Sequence, residues 1–172
     1  MVHNLGRVYD ISFMDTFTEK YAKDLNTPLT GNMHIEKIDE ISSESWYEFT
    51  EELLRACLPP TLIMNPDFPT IEVVKFLDSK PHRDLSSGEL VLVVPVKLST
   101  LADRYYLGFE DSTCSRYEYE IRKYHRYLLN QYNLHWVHGA YPSGVGIDTV
   151  EPGINFNIAL LFNVIIKDPL FK

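Results

Sequence analysis

The chain has 172 residues, which is enough for one domain with a real core and too short for two comfortable ones. Apolar residues at 45% and charged residues at 23% exclude wholesale disorder. A net charge of −8 argues against sequence-independent binding to nucleic acid, which needs excess Lys and Arg near phosphates.

The first 60 residues read as a helical flank. Asp15 to Leu25 predicts a helix with Asp15 as cap and Phe17, Tyr21 and Leu25 on one face. A loop follows over Thr27 to Asn32. Ser45 to Cys57 predicts a second helix, because Ser45 and Glu48 have capping-box spacing and Trp46, Phe49, Leu53 and Cys57 form one stripe. Pro59 and Pro60 end it.

From Thr61 to Ile166 the pattern becomes β. Thr70 to Leu77 is strand-like, His82-Arg83-Asp84 follows it, and Ser86 to Gly88 turns the chain into Glu89 to Leu98, a Val/Leu run expected at the centre of a sheet. Pro95 within that run implies a bulge or an unpaired side. Arg104 to Glu110 reads as a strand, Ser115 to Gln131 as a helix whose stripe is Tyr117, Ile121, Tyr124 and Leu128, and Leu134 to Ala140 as a strand. A loop over Tyr141 to Gly153 leads to the closing strand, Ile154 to Ile166. The charges Glu120, Arg122, Lys123 and Arg126 are expected on a solvated face.

Cys57 and Cys114 stand far apart and form no CxxC pair, so neither a disulfide framework nor a structural zinc site is expected. No segment approaches the roughly 18 apolar residues of a membrane span, and the N-terminus lacks an apolar run of signal-peptide length. The expectation is a single domain that is cytoplasmic or virion-associated rather than secreted, with no membrane partner.

His82 and Asp84, two residues apart at a strand edge, point the same way, and His135 and His138 lie about fifty residues on at a late strand. Two histidines and one carboxylate on one face are the ligand set that holds Fe(II) and leaves positions open. Residues three apart on a strand face opposite sides, so one of His135 and His138 is expected to point inward.

The order of these elements and the HxD…H pattern resemble the 2-oxoglutarate and Fe(II)-dependent oxygenases over residues 61 to 166. That resemblance implies a mainly β, double-stranded β-helix (jelly-roll) barrel with flanking helices and one inserted helix. It also implies Fe(II) and 2-oxoglutarate as cofactors. His138-Gly139-Ala140 with Pro142 and Gly144 looks like the distal-histidine segment of the phytanoyl-hydroxylase branch, and makes His138 the expected third ligand. His135 with Val137 matches the H-x-V of other branches and competes with it.

The closing strand lacks the arginine that most of the family uses to pair with the co-substrate's far carboxylate. Asn155, Asn157 and Lys97 are the residues expected to line that pocket instead, with Arg104 or Tyr105 as further substitutes. Three readings follow: an active oxygenase on a small-molecule or protein substrate; an inactive barrel serving as a binding module or viral assembly protein, possible as a homo-oligomer; and ordinary structural histidines.

Overall fold

The computed structural model describes residues 2–31, 33–37, 46–142 and 153–167. Its centre is the pair predicted from the Val/Leu runs. Strand β6 (Leu90–Lys97) lies antiparallel to β11 (Asn157–Ile166), and Leu92, Leu160 and Phe162 are fully buried. Each such side chain contributes roughly 1.5–3 kcal/mol by leaving water.

Around that pair, β1 (Val2–Arg7), β9 (His125–Asn130), β4 (Glu72–Phe76) and β2 (Met33–Lys37) complete a sheet in the order β1-β9-β6-β11-β4-β2. A short β3 (Leu62–Met64) also pairs with β11. A second sheet of four strands has the order β5 (Ser79–His82), β10 (His135–Gly139), β7 (Tyr105–Glu110), β8 (Arg116–Glu120). All these pairings are antiparallel.

Helices α1 (Ile11–Lys20), α2 (Ala22–Leu25) and α3 (Trp46–Cys57) cover the outer face of the large sheet. Two buried cations mark that contact. Lys75 of β4 donates to Thr27 Oγ1 at 2.6 Å, and Arg126 of β9 donates to the carbonyls of Cys57 and Leu5. Burial pushes the Cys57 thiol up to about 12, with the nearby Arg126 charge opposing.

This two-sheet, helix-flanked architecture agrees with the expected jelly-roll type, and several local expectations need correction. The flank before residue 61 is not only helical, since β1 and β2 are strands of the large sheet. The first helix is capped by Asp10, which accepts from the Phe13 amide, while Asp15 accepts the Tyr124 hydroxyl. Ser45 and the Glu48 side chain of the expected capping box, the Trp46 side chain and most of the loop after Tyr141 lie outside what is described.

The predicted helix over 115–131 is a hairpin, β8 and β9. Tyr124 takes a left-handed φ of 61°, which a helix interior does not tolerate. Tyr127 then ties the turn: its hydroxyl accepts from the Arg122 amide and donates to the Glu120 carbonyl. The four-residue steps of Tyr and Leu coincided with a helix period, but Arg116-Tyr117-Glu118-Tyr119-Glu120 alternates with period two. Arg126, expected in solvent, is buried under α3.

In the small sheet, Gly108 of β7 leaves room for the indole of its register partner Trp136. A Cβ there would stand 2.1 Å from Trp136 Cε2. Gly108→Ala is therefore expected to lower stability by about 1–3 kcal/mol, the usual cost of overpacking. Urea unfolding followed by tryptophan emission checks this, and an unchanged midpoint would show that Trp136 moves aside at no cost.

Candidate metal centre

The site begins with a strand register. β5 and β10 are antiparallel, and His82 and His135 are direct partners across them, so both imidazoles leave the same face. Their ring centroids lie 4.3 Å apart. Just past β5, the Asp84 amide donates to the Gln131 carbonyl at 3.0 Å, which fixes this segment against the end of β9. The Asp84 carboxylate is thereby brought to both rings: Oδ2 is 3.2 Å from His135 Nε2 and 3.8 Å from His82 Nε2. One ligand atom from each of the three lies within 4.8 Å of the others.

The other ring nitrogens decide what this cluster can do. His82 Nδ1 lies 2.7 Å from the Lys80 carbonyl, and His135 Nδ1 lies 2.9 Å from the Asn133 carbonyl. A carbonyl only accepts, so each Nδ1 carries the proton and each neutral ring presents a bare lone pair at Nε2. Two lone pairs and a carboxylate then face one another, an arrangement that needs a proton or a cation between them. Where a proton fills that gap, the hydrogen bond from His135 and then the charge on His135 and His82 hold the Asp84 carboxyl below the usual carboxylate range, with burial opposing.

His138, the expected third ligand, is not in this cluster. Three residues beyond His135, it leaves the opposite face of β10, stacks on Tyr106 at 5.3 Å and places Nε2 2.7 Å from Glu118 Oε1. The histidine that meets His82 and Asp84 is His135, which is 6% exposed. The stretch His-Trp-Val-His gave no polar/apolar alternation to separate the two. The usable signal was Val137, which shares the inward face with His135.

The three ligand candidates line a pocket between the sheets, about 670 Å³ when the open solvent at its mouth is included. The large sheet contributes Val91, Val93, Tyr127, Leu129, Leu161 and Phe76, and the small one Leu107, Val137 and Ser79. Met33 and Ile35 of β2 also line it and are themselves partly in solvent.

Asn155, Asn157 and Lys97, expected as pocket residues, do not line it. Pro95 explains Lys97. The β6–β11 ladder pairs Lys97 with Ile158 but Pro95 with Ala159, so Val96 is an extra residue and the alternation of faces resets there. Lys97 is thus turned to the helix side, where it donates to Asn26 and to the Ile154 carbonyl and lies 4.5 Å from the Phe156 ring centroid.

Asn155 and Asn157 clasp the loop after β6 instead. Asn157 Oδ1 accepts from the Ser99 amide and Asn155 Oδ1 from the Thr100 amide. Arg104 and Tyr105 are likewise absent from the lining. Sequence reasoning missed Gln131, whose amide nitrogen bonds the Gly88 carbonyl and Asn163 at the metal end of the pocket.

Among the described residues no helix is long and apolar enough to cross a membrane. No protein-family model matches the chain, and no curated protein matches it in sequence. Solved structures do match in fold. One is an oxidoreductase of the 2OG-Fe(II) oxygenase family from Burkholderia pseudomallei, with TM-score 0.64 and 10% identity over 95% of this chain and 83% of that one. Another is the non-heme alpha ketoglutarate dependent epimerase SnoN from nogalamycin biosynthesis, with TM-score 0.58 and 9% identity over 97% of this chain and 81% of that one. A third, OsALKBH1, has TM-score 0.51 and 12% identity over 94% and 97%. The chain thus has a 2OG-Fe(II)-oxygenase-like fold and a His-Asp-His cluster able to coordinate a metal ion.

Cobalt(II), titrated anaerobically and followed by its visible bands, is expected to bind the unaltered chain and His138→Ala with similar affinity. His135→Ala and Asp84→Ala should each lose more than about 10-fold, since removing a ligand exceeds the loss of an outer-sphere partner. Loss in His138→Ala with retention in His135→Ala would reverse the assignment.

Proposed function

We propose that the protein is a mononuclear non-haem Fe(II) oxygenase, with iron held by His82, Asp84 and His135. The observation that carries this reading is the pair of Nδ1–carbonyl hydrogen bonds, which aim both Nε2 lone pairs at the Asp84 carboxylate. Two nitrogens and one oxygen on one side suit Fe(II) rather than the all-oxygen preference of magnesium or calcium. Bound there, iron(II) supplies a redox-active Lewis acid with positions left open for oxygen and an organic ligand.

The chain's own residues have distinct roles. His82 and His135 are fixed in ring orientation and tautomer by the Lys80 and Asn133 carbonyls, so no reorganisation is needed when they coordinate. Asp84 supplies the anionic ligand and is anchored through its amide to Gln131. The apolar walls from β6, β9 and β11 exclude water from the side of the site that faces the pocket.

2-Oxoglutarate, implied by the fold family, does not fit the described lining. Among the described residues no Lys or Arg lines the pocket to meet a second carboxylate. The reading of an Fe(II) oxygenase requires open coordination positions. Nitric oxide added anaerobically to the Fe(II)-loaded chain should give the half-integer-spin resonance of a mononuclear iron nitrosyl. Metal uptake without that signal, or no uptake, would contradict the proposal.

A further inference from the structure

We infer that the pocket beside His82, Asp84 and His135 takes a monoanionic chelating acid with an apolar tail, a 2-oxo monocarboxylate, and not a dicarboxylate such as 2-oxoglutarate. This rests on the proposed metal site and names its organic ligand. Charge comes first. A divalent ion with two neutral imidazoles and the Asp84 carboxylate leaves a single net positive charge, which one carboxylate bound at the metal neutralises. A second carboxylate further in would be uncompensated, and an unpaired buried charge is strongly disfavoured.

Nothing described in the lining offsets that charge. Beyond the three ligands, the polar lining residues are Ser79, Tyr127 and Gln131. Tyr127 donates to Glu120 and Gln131 to Gly88 and Asn163, while Ser79, whose Oγ accepts the Val137 amide, brings a hydroxyl but no charge. Lys75 and Lys97, the cations of the two central strand pairs, are both turned to the helix side and hold Thr27 and Asn26. Lys37 at the end of β2 is in backbone register with Glu72. Outside the described ranges Lys172 is the one Lys or Arg of the sequence.

The remaining walls are aliphatic and aromatic: Val74, Phe76, Val93, Leu107, Leu129 and Leu161. Such walls reward an apolar tail, at about fourfold in affinity for each methylene buried. The metal end therefore selects the chelating head and the far end selects against charge.

The test titrates the anaerobic, Fe(II)-loaded full chain with pyruvate, 4-methyl-2-oxopentanoate and 2-oxoglutarate, following the visible charge-transfer absorption of an iron-bound 2-oxo acid. The branched monocarboxylate is expected to bind at least about tenfold more tightly than either of the other two, given burial of its added carbons. Equal or tighter binding of 2-oxoglutarate overturns the inference. So does an iron nitrosyl signal with no oxo-acid binding at all, an outcome that leaves the metal reading intact. Absence of both signals removes the metal reading and the inference together.

Discussion

The register between β5 and β10 is the constraint on which the site depends. Because His82 and His135 are direct partners in an antiparallel pair, their rings must leave the sheet side by side, whatever their rotamers. A slip of one residue would send one of them to the opposite face. The pairing alone leaves Asp84 undetermined, and the amide bond from Asp84 to the Gln131 carbonyl settles it by joining the small sheet's edge to β9 of the large one. The far end of β10 is held separately. Asp78 accepts from the Gly139 amide and from the Tyr141 hydroxyl at 2.8 Å, so β10 cannot slide along β5 without breaking both.

The end of the pocket at His82, Asp84 and His135 is polar and the rest is mostly apolar, and Pro95 shapes that division. Pro95 cannot donate to the ladder, the ladder slips by one residue, and Lys97 is carried to the helix side. Had β6 kept strict alternation, Lys97 would share a face with Val91 and Val93 and would bring a cation to the pocket. The bulge therefore bears on ligand choice as well as on sheet geometry. It also sets Lys97 near Lys75, and burial together with that neighbouring charge lowers the Lys97 pKa.

Much of the large sheet was legible in the sequence because burial and composition agreed. The runs at 90–97 and 157–166 are nearly all Val, Leu, Ile and Phe and form the central pair. The bulge at Pro95 was also readable, since a missing donor has few ways to sit in a ladder. What it did to Lys97 was not, because the direction of a side chain after a bulge depends on the partner strand.

The hairpin of β8 and β9 was misread as a helix because Tyr and Leu at positions 117, 121, 124 and 128 satisfy a helical period by coincidence, and the turn locked by Tyr127 has no local signature. His82 and Asp84 were visible as a pair. The choice between His135 and His138 was not, since it depends on which face of β10 meets β5, a fact carried by long-range pairing rather than by the five residues of the strand itself.

The central claim is that His82, Asp84 and His135 surround one metal position. Anomalous diffraction at the iron edge, from crystals grown anaerobically with Fe(II), tests it directly. The account predicts a single strong peak within bonding distance of His82 Nε2, His135 Nε2 and an Asp84 carboxylate oxygen. A peak at His138 and Glu118, or none between the two sheets, would contradict it.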